Sequence, residues 1–303
     1  MIKAIPRQRD HRQSRLLVLF GVAVLCWVAS TAVRYELSAA RSGSLYLSVA
    51  IAVSAFFGLV SWRLGAATTG AAACGALICF DITVLSGRPD GGSVFRSGLT
   101  PLIVLFVLTH AATHFRRNVE FPLGFEEEEK HGRNAAQIIA NLGAAAVSSL
   151  QYSWIFRGVP HTQITISAFS VLQIPMLSAL AEATADTVSS EVGQAAGGTP
   201  FLLTNLRRVA PGTDGGVSAA GTLAGIAAAA VLAIVAGPAI GIGAAGMTHV
   251  VLAATAGLFF DSLLGATLER RGWIGNDMVN FASTSFSVAI ACLLGPGGLR
   301  LKI

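Results

Sequence analysis

The sequence predicts an all-α membrane protein, a polytopic transmembrane helical bundle of about nine spans, with roughly eight to ten as the range. Three observations predict it. Apolar residues make up 53% of the chain and charged ones only 12%, whereas a soluble domain carries about 25% charge. Apolar runs near the roughly 20 residues that a helix needs to cross a bilayer recur along the whole length. Glycine is plentiful, at 33 residues, as suits helices that approach closely through small side chains.

The runs fall at 16–33, 45–61, 65–85, 98–115, 135–156, 162–187, 217–237, 243–265 and 277–296. The first, LLVLFGVAVLCWVASTAV, follows the basic stretch MIKAIPRQRDHRQSR in the manner of a signal peptide. So many spans follow that an uncleaved first helix is expected. There is no Ser/Arg-rich transit extension, so the expected location is a prokaryotic inner membrane.

Lys and Arg placement orients the chain. With the N-terminus cytoplasmic, the inner segments hold Lys3, Arg7, Arg9, Arg12, Arg15, Arg63, Arg116, Arg117, Lys130, Arg133, Arg207, Arg208, Arg270 and Arg271. The outer segments hold half as many: Arg34, Arg41, Arg88, Arg96, Arg157, Arg300 and Lys302. The polar loops 116–134, 188–216 and 269–276 then all face the cytoplasm, so any chemistry should sit there. We divide the chain accordingly into N-terminal helices (1–115) and a catalytic transmembrane region (116–303).

Several function classes are disfavoured. The net charge of +5 is modest and no basic run carries interleaved aromatics, so nucleic acid is not an expected partner. Cys26, Cys74, Cys79 and Cys292 lie within apolar stretches without a C-x-x-C pair, and read as inert thiols. His110 and His114 have i, i+4 spacing but no interposed acid, and read as interfacial. The Glu126–Glu129 run reads as a solvated loop. No internal repeat supports an inverted-repeat transporter.

Ionisable groups at membrane depth cost about 2.5–3.5 kcal/mol each, so they mark a site or a paired structural group. Asp81, near the outer end of its span, reads as interfacial. The segment LSALAEATADTVSSEVG is different. Glu182 and Asp186 share one helix face at i and i+4, with Ser189 joining it and Glu191 following. Like charges so placed call for a hard divalent cation between them, or for Ser/Thr and arginine partners from neighbouring helices. Downstream, Arg207 and Arg208 precede the Pro-Gly-Thr-Asp-Gly-Gly turn, which feeds a helix beginning near Val217-Ser218. Such a turn exposes backbone N–H groups at the positive end of a helix and favours a phosphate. It is not a Walker A loop, because no Gly-Lys-Ser/Thr follows. Arg133, Gln137 and Asn141, then Asp261, Gly265 and Glu269, then Asn276, Asp277 and Asn280, add polar groups at the same predicted depth.

The stretches ADTVSSEVG and LLTNLRRVAPGTDGGVSAAGTLAG resemble the signature of an integral-membrane family, long catalogued as of unknown function, that includes plant phytyl-phosphate kinase. HGRNAAQIIANLG, DSLLGATLERRG and NDMVNFAST resemble its other segments, so the likeness runs from about residue 130 to the C-terminus. Ala210, before the turn, is a mild departure from that pattern. The resemblance implies a phosphotransferase that uses CTP or another nucleoside triphosphate to turn a prenyl or phytyl monophosphate lipid into its diphosphate. On that reading Asp186, Arg208 and Asn141 are catalytic. Arg207, Arg208, Gly212, Thr213, Gly215, Gly216 and Ser218 cradle the nucleotide, and Glu182, Asp186, Glu191 and Asp261 hold Mg²⁺ or another divalent cation. The alternatives are a cytidylyltransferase acting on a lipid phosphate, and a transporter or flippase.

Overall fold

A chain in hydrocarbon must satisfy its own backbone hydrogen bonds, and helices do so locally. The computed structural model describes residues 5–38, 43–87, 93–120, 132–151 and 166–294. Among these residues the chain forms nine α-helices: α1 (Arg7–Ser38), α2 (Gly43–Arg63), α3 (Thr69–Leu85), α4 (Leu99–Glu120), α5 (Ala135–Ser148), α6 (Ile166–Ala195), α7 (Ala219–Ala236), α8 (Ala244–Leu264) and α9 (Asn276–Leu294). A five-residue π-turn, Gly265–Glu269, extends α8, and two-residue strands Phe201–Leu202 (β1) and Gly216–Val217 (β2) pair antiparallel in the α6–α7 loop.

Each helix falls on one of the predicted intervals, in order. Six of the nine, α1, α2, α4, α7, α8 and α9, are long and apolar enough to cross a membrane. The other three depart for a physical reason. α3 has 17 residues, α5 has 14, and α6 is long but polar. All three are inner helices, with residues 78–79, 81–87, 139–146 and 173–185 buried, so they need no lipid-facing apolar surface. α5 ends at Ser148 rather than near 156. Residues 152–156 of that interval, the outer loop 157–161 and the Glu126–Glu129 run lie outside the described residues.

The outer helices carry the lipid-facing side chains: Leu19, Phe20, Leu45, Phe56, Leu223 and Ile234 are each at least 60% exposed. At the centre, residues 173–185 of α6 are buried on every side, and the helix packs against α4, α5, α7, α8 and α9. Helices gain no hydrophobic drive from lipid, so close backbone approach must hold them. Gly221 and Gly225, four apart on α7, provide it. A side chain at Gly225 would collide with the Ala185 carbonyl and Ser189 Cβ, and one at Gly221 with the Ser189 carbonyl. Asp81, expected at an interface, is instead fully buried on α3, because that helix lies inside the bundle.

The segments predicted to share one side do meet at one end of the bundle. Arg9 donates to the Gly272 carbonyl at 2.9 Å, and Ser14 to Asp277 Oδ2 at 2.6 Å. Gln13 donates to the Trp273 carbonyl and accepts from Gly275 N–H, both at 2.9 Å. The start of α1 is thereby clamped to the α8–α9 loop. After α2, Thr68 and Ala66 exchange backbone hydrogen bonds with Arg133, each 3.0 Å long.

Gly225→Ala should therefore cost about 1–3 kcal/mol through overpacking, read as a lower thermal midpoint in detergent. Gly75→Ala on α3 faces open space. It should be neutral or stabilise by up to about 1 kcal/mol through helix propensity.

Candidate functional site

A recessed cavity of about 560 Å³ opens at this end of the bundle. Its size lies within the roughly 300–1,000 Å³ usual for small-ligand sites. One wall is acidic. The C-terminal half of α6 supplies Asp186, Ser189 and Glu191, and α8 with its π-turn supplies Asp261 and Glu269. The π-turn matters locally, because its extra residue per turn shifts Glu269 relative to an unbroken helix. Asn276 and Asn280 of α9 and Gln137 and Asn141 of α5 line the same space.

The four acids expected to hold a metal have different surroundings. Glu182 lies one turn deeper than Asp186, only 1% exposed. It fits because Gly257 has no side chain to meet its Cγ. It interacts electrostatically with Asp186 and Asp261, and its Oε1 and Asp261 Oδ2 are buried without hydrogen-bond partners among the described residues. Glu191 is engaged elsewhere. It pairs with Arg116 at 2.5 Å and accepts from Thr113 Oγ1 at 2.8 Å, while Arg116 also donates to Gln194 at 3.1 Å. That network braces α4 against α6. Among the described residues no three His, Cys, Asp or Glu side chains are gathered as a metal cluster. The observation that fits a cation is narrower, namely the two orphaned carboxylate oxygens on Glu182 and Asp261.

The glycine turn reaches the cavity through Pro211, Gly212, Thr213, Asp214, Gly215 and Gly216. Gly212 and Gly215 have φ of 78° and 70°, left-handed values that a side chain disfavours. Gly215 also lies against the backbone of Ser262, Gly265 and Ala266, so turn and π-turn interlock without side chains. Part of the turn's polarity is used internally. Thr213 Oγ1 donates to the Ala210 carbonyl at 2.7 Å, and Ser218 caps α7 by accepting from Gly221 N–H at 3.1 Å. Asp214 lies outside the spanning helices. Burial pushes its carboxyl up from the usual range, and Arg270 opposes the shift.

Arg207 and Arg208 do not line the cavity. They are exposed in the loop between β1 and β2, where the Arg207 carbonyl accepts from Leu202 N–H and Arg208 bridges to Phe201. The cavity's arginines are Arg133, which donates to Thr187 Oγ1 at 3.2 Å and acts electrostatically on Asp186, and Arg117 of α4. Asn141, only 7% exposed, donates to the Gln137 carbonyl at 2.7 Å. Gln137 in turn closes a capping box with Asn134 at the start of α5.

A further wall comes from α4, whose histidines sequence reasoning set aside. Phe106, Thr109, His110, Thr113, His114 and Arg117 all face the cavity. Their i, i+3, i+4, i+7 spacing was the available signal. The site therefore draws on both sides of residue 115, with α2 and α3 also contributing lining residues.

These features define a polytopic helical membrane protein with a recessed polar site at one end of its bundle. The chain belongs to the family described as integral membrane protein DUF92, which it matches over residues 52–288. It is 30% identical over 229 residues to Protein VTE6, chloroplastic, of Arabidopsis thaliana, covering 75% of this chain and 66% of that one. It is 34% identical over 107 residues to the uncharacterized membrane protein sll0875 of Synechocystis, covering 35% and 42%. It is 36% identical over 135 residues to the uncharacterized membrane protein MJ0933 of Methanocaldococcus jannaschii, covering 43% and 55%. The chain thus spans just under two thirds of the first relative and about half of the other two. No solved structure matches it.

If Arg116 and Glu191 form a structural brace, Arg116→Ala and Glu191→Ala should each lower the thermal midpoint. The double variant should cost less than the sum of the two single variants. A double-mutant cycle should return a coupling of about 1 kcal/mol. Strict additivity would remove the brace.

Proposed function

We propose that this protein is a nucleotide-dependent kinase that converts a prenyl-type lipid monophosphate into its diphosphate. The observation that carries the reading is that one cavity gathers carboxylates, arginines and a glycine turn, at the end of a bundle otherwise made for lipid. The motif resemblance to the family that includes plant phytyl-phosphate kinase supports it, as does the likeness to a chloroplast protein.

The acceptor is already an anion at neutral pH, so its phosphate oxygen attacks the terminal phosphorus of the nucleotide without a strong base. As that P–O bond forms, the bond to the bridging oxygen breaks and the nucleoside diphosphate leaves with the electron pair. Positioning and charge balance are then the protein's main contributions. Asp186 and Asp261, with Glu182 beneath them, would hold Mg²⁺. That ion would neutralise charge on the phosphates. Arg133 would orient the transferred phosphoryl group, and the N–H groups of the 212–216 turn would receive the nucleotide phosphates. Asn141 would donate to a phosphate oxygen beside Arg133. Arg207 and Arg208, on the solvent side of the turn, would contact the nucleotide as it enters. The proposed face is the cytoplasmic one, with CTP as the favoured donor.

The test is purified protein in detergent with CTP or ATP, MgCl₂ and prenyl monophosphates of several lengths. The expected products are a lipid diphosphate and a nucleoside diphosphate. A nucleotidyl-lipid with pyrophosphate would instead mean a cytidylyltransferase, and no substrate-dependent nucleotide consumption would exclude both enzymes. Asp186→Asn should lower kcat by about 10²–10³, the usual cost of one lost electrostatic group at a reacting centre. Chelation by EDTA should abolish turnover and added Mg²⁺ restore it.

A further inference from the structure

The cavity is polar at one end only. Away from the acids it continues between α2, α3, α4 and α5, where Phe57, Ala72, Gly75, Leu102, Phe106 and Leu142 line it. No charged side chain lies among these. The change of character is clearest along α4. One face of that helix runs from Leu102, Leu105 and Phe106, through Thr109, His110 and Thr113, to His114 and Arg117. At 1.5 Å per residue, the stripe from Leu102 to Arg117 covers about 22 Å. It grades from hydrocarbon-like to cationic along a single axis, with the cationic end level with Asp186 and Glu191.

The aromatic groups at the transition are ordered. Phe57 of α2 meets Phe106 of α4 edge to face, with centroids 5.6 Å apart. Phe106 stacks on His110 at 5.5 Å, and His110 lies 4.2 Å from His114. α2 packs mainly on α3 and α4 mainly on α6, so this aromatic pair bridges two helices that belong to different packing units. Behind it the α3 wall is made of Ala71, Ala72 and Gly75, and a side chain added at Gly75 would meet nothing within 4 Å. The space is therefore real, apolar and continuous with the polar site.

We propose that this half of the cavity is the acceptor subsite, and that the lipid monophosphate lies along α4. Its phosphate is held by His110, His114 and Arg117, and its hydrocarbon tail passes the Phe57–Phe106 pair to run along Gly75 between α2 and α4. This rests on the kinase reading and deepens it. The cation-binding acids and the glycine turn take the nucleotide from one side, while α4 presents the acceptor from the other. An amphiphile is the occupant because the subsite is itself amphiphilic: a free phosphate would leave the apolar half unfilled, and a neutral lipid chain would bring no headgroup to the polar half formed by Thr109, His110, Thr113 and His114. The Phe57–Phe106 pair and Gly75 then set which tails are accepted.

The test is turnover of a C10 and a C20 prenyl monophosphate by the full-length protein. Gly75→Leu fills the tail channel, so its ratio of C20 to C10 kcat/KM should fall at least tenfold. Val107→Ala, on the lipid-facing side of α4, should leave that ratio unchanged. His110→Ala should raise KM for the acceptor about tenfold without raising KM for the nucleotide. An unaltered C20 to C10 ratio in Gly75→Leu overturns the tail path while the kinase reading stands. A rise in nucleotide KM alone in His110→Ala overturns the headgroup assignment. If the wild-type protein turns over no prenyl monophosphate, the kinase reading fails. Photolabelling with a diazirine-bearing C20 alkyl monophosphate then decides the subsite. Label on the cavity-lining Phe57, Ala72, Gly75, Leu102 or Phe106 supports it, and label only elsewhere, including the lipid-exposed Leu59, Trp62 and Ile103, overturns it.

Discussion

Everything in this fold answers to one constraint: α6 carries Glu182, Asp186 and Gln173 through a medium that cannot solvate them. An unpartnered charge facing hydrocarbon costs several kcal/mol, so the helix must be covered on all sides. Five other helices cover it. Close coverage needs small contact residues, which Gly221, Gly225 and Gly257 provide, Gly257 directly over Glu182. The apolar surface that meets lipid is then left to the outer helices, with α1 and α2 the least buried of the six membrane-length helices.

The same arrangement concentrates polarity where α6 emerges. Its last turns bring Asp186 and Glu191 to the level of the glycine turn, the π-turn and the start of α5. Those elements are locked by short-range devices: a capping box on α5, left-handed glycines in the turn, and α1 clamped to the α8–α9 loop. α4 is tied in separately by Arg116 and Thr113 to Glu191. One carboxylate of the acidic group thus serves to hold α4 in place, and the cavity lining carries both carboxylates and arginines. On the proposed kinase reading, such a site would receive a cation together with phosphate anions. It opens on one side toward an apolar stretch, the property on which the proposed lipid acceptor rests.

Membership of the family rests on a match that begins at residue 52, well before the segments where the signature motifs lie. The cavity explains why the earlier helices belong to it. α2, α3 and α4 contribute a wall and a channel, although their sequences hold few of the residues that usually advertise chemistry.

The sequence by itself determined the helical membrane class, the order and approximate limits of the helices, and the gathering of the polar loops at one end. Composition and apolar periodicity are local properties, and a bilayer enforces them directly. It also singled out Asp186, Asp261, Asn141 and the 212–216 turn, because polar groups in apolar runs stand out. Only the tertiary structure decided which of these share a space. It turned Arg207 and Arg208 outward and put Arg133 and Arg117 in the cavity, since the β1–β2 pairing fixes the loop's facing and no local pattern encodes that. It assigned Glu191 to Arg116, a partner 75 residues away in the chain. It also placed His110 and His114 in the site, residues whose i, i+4 spacing has no meaning until other helices close the cavity around them.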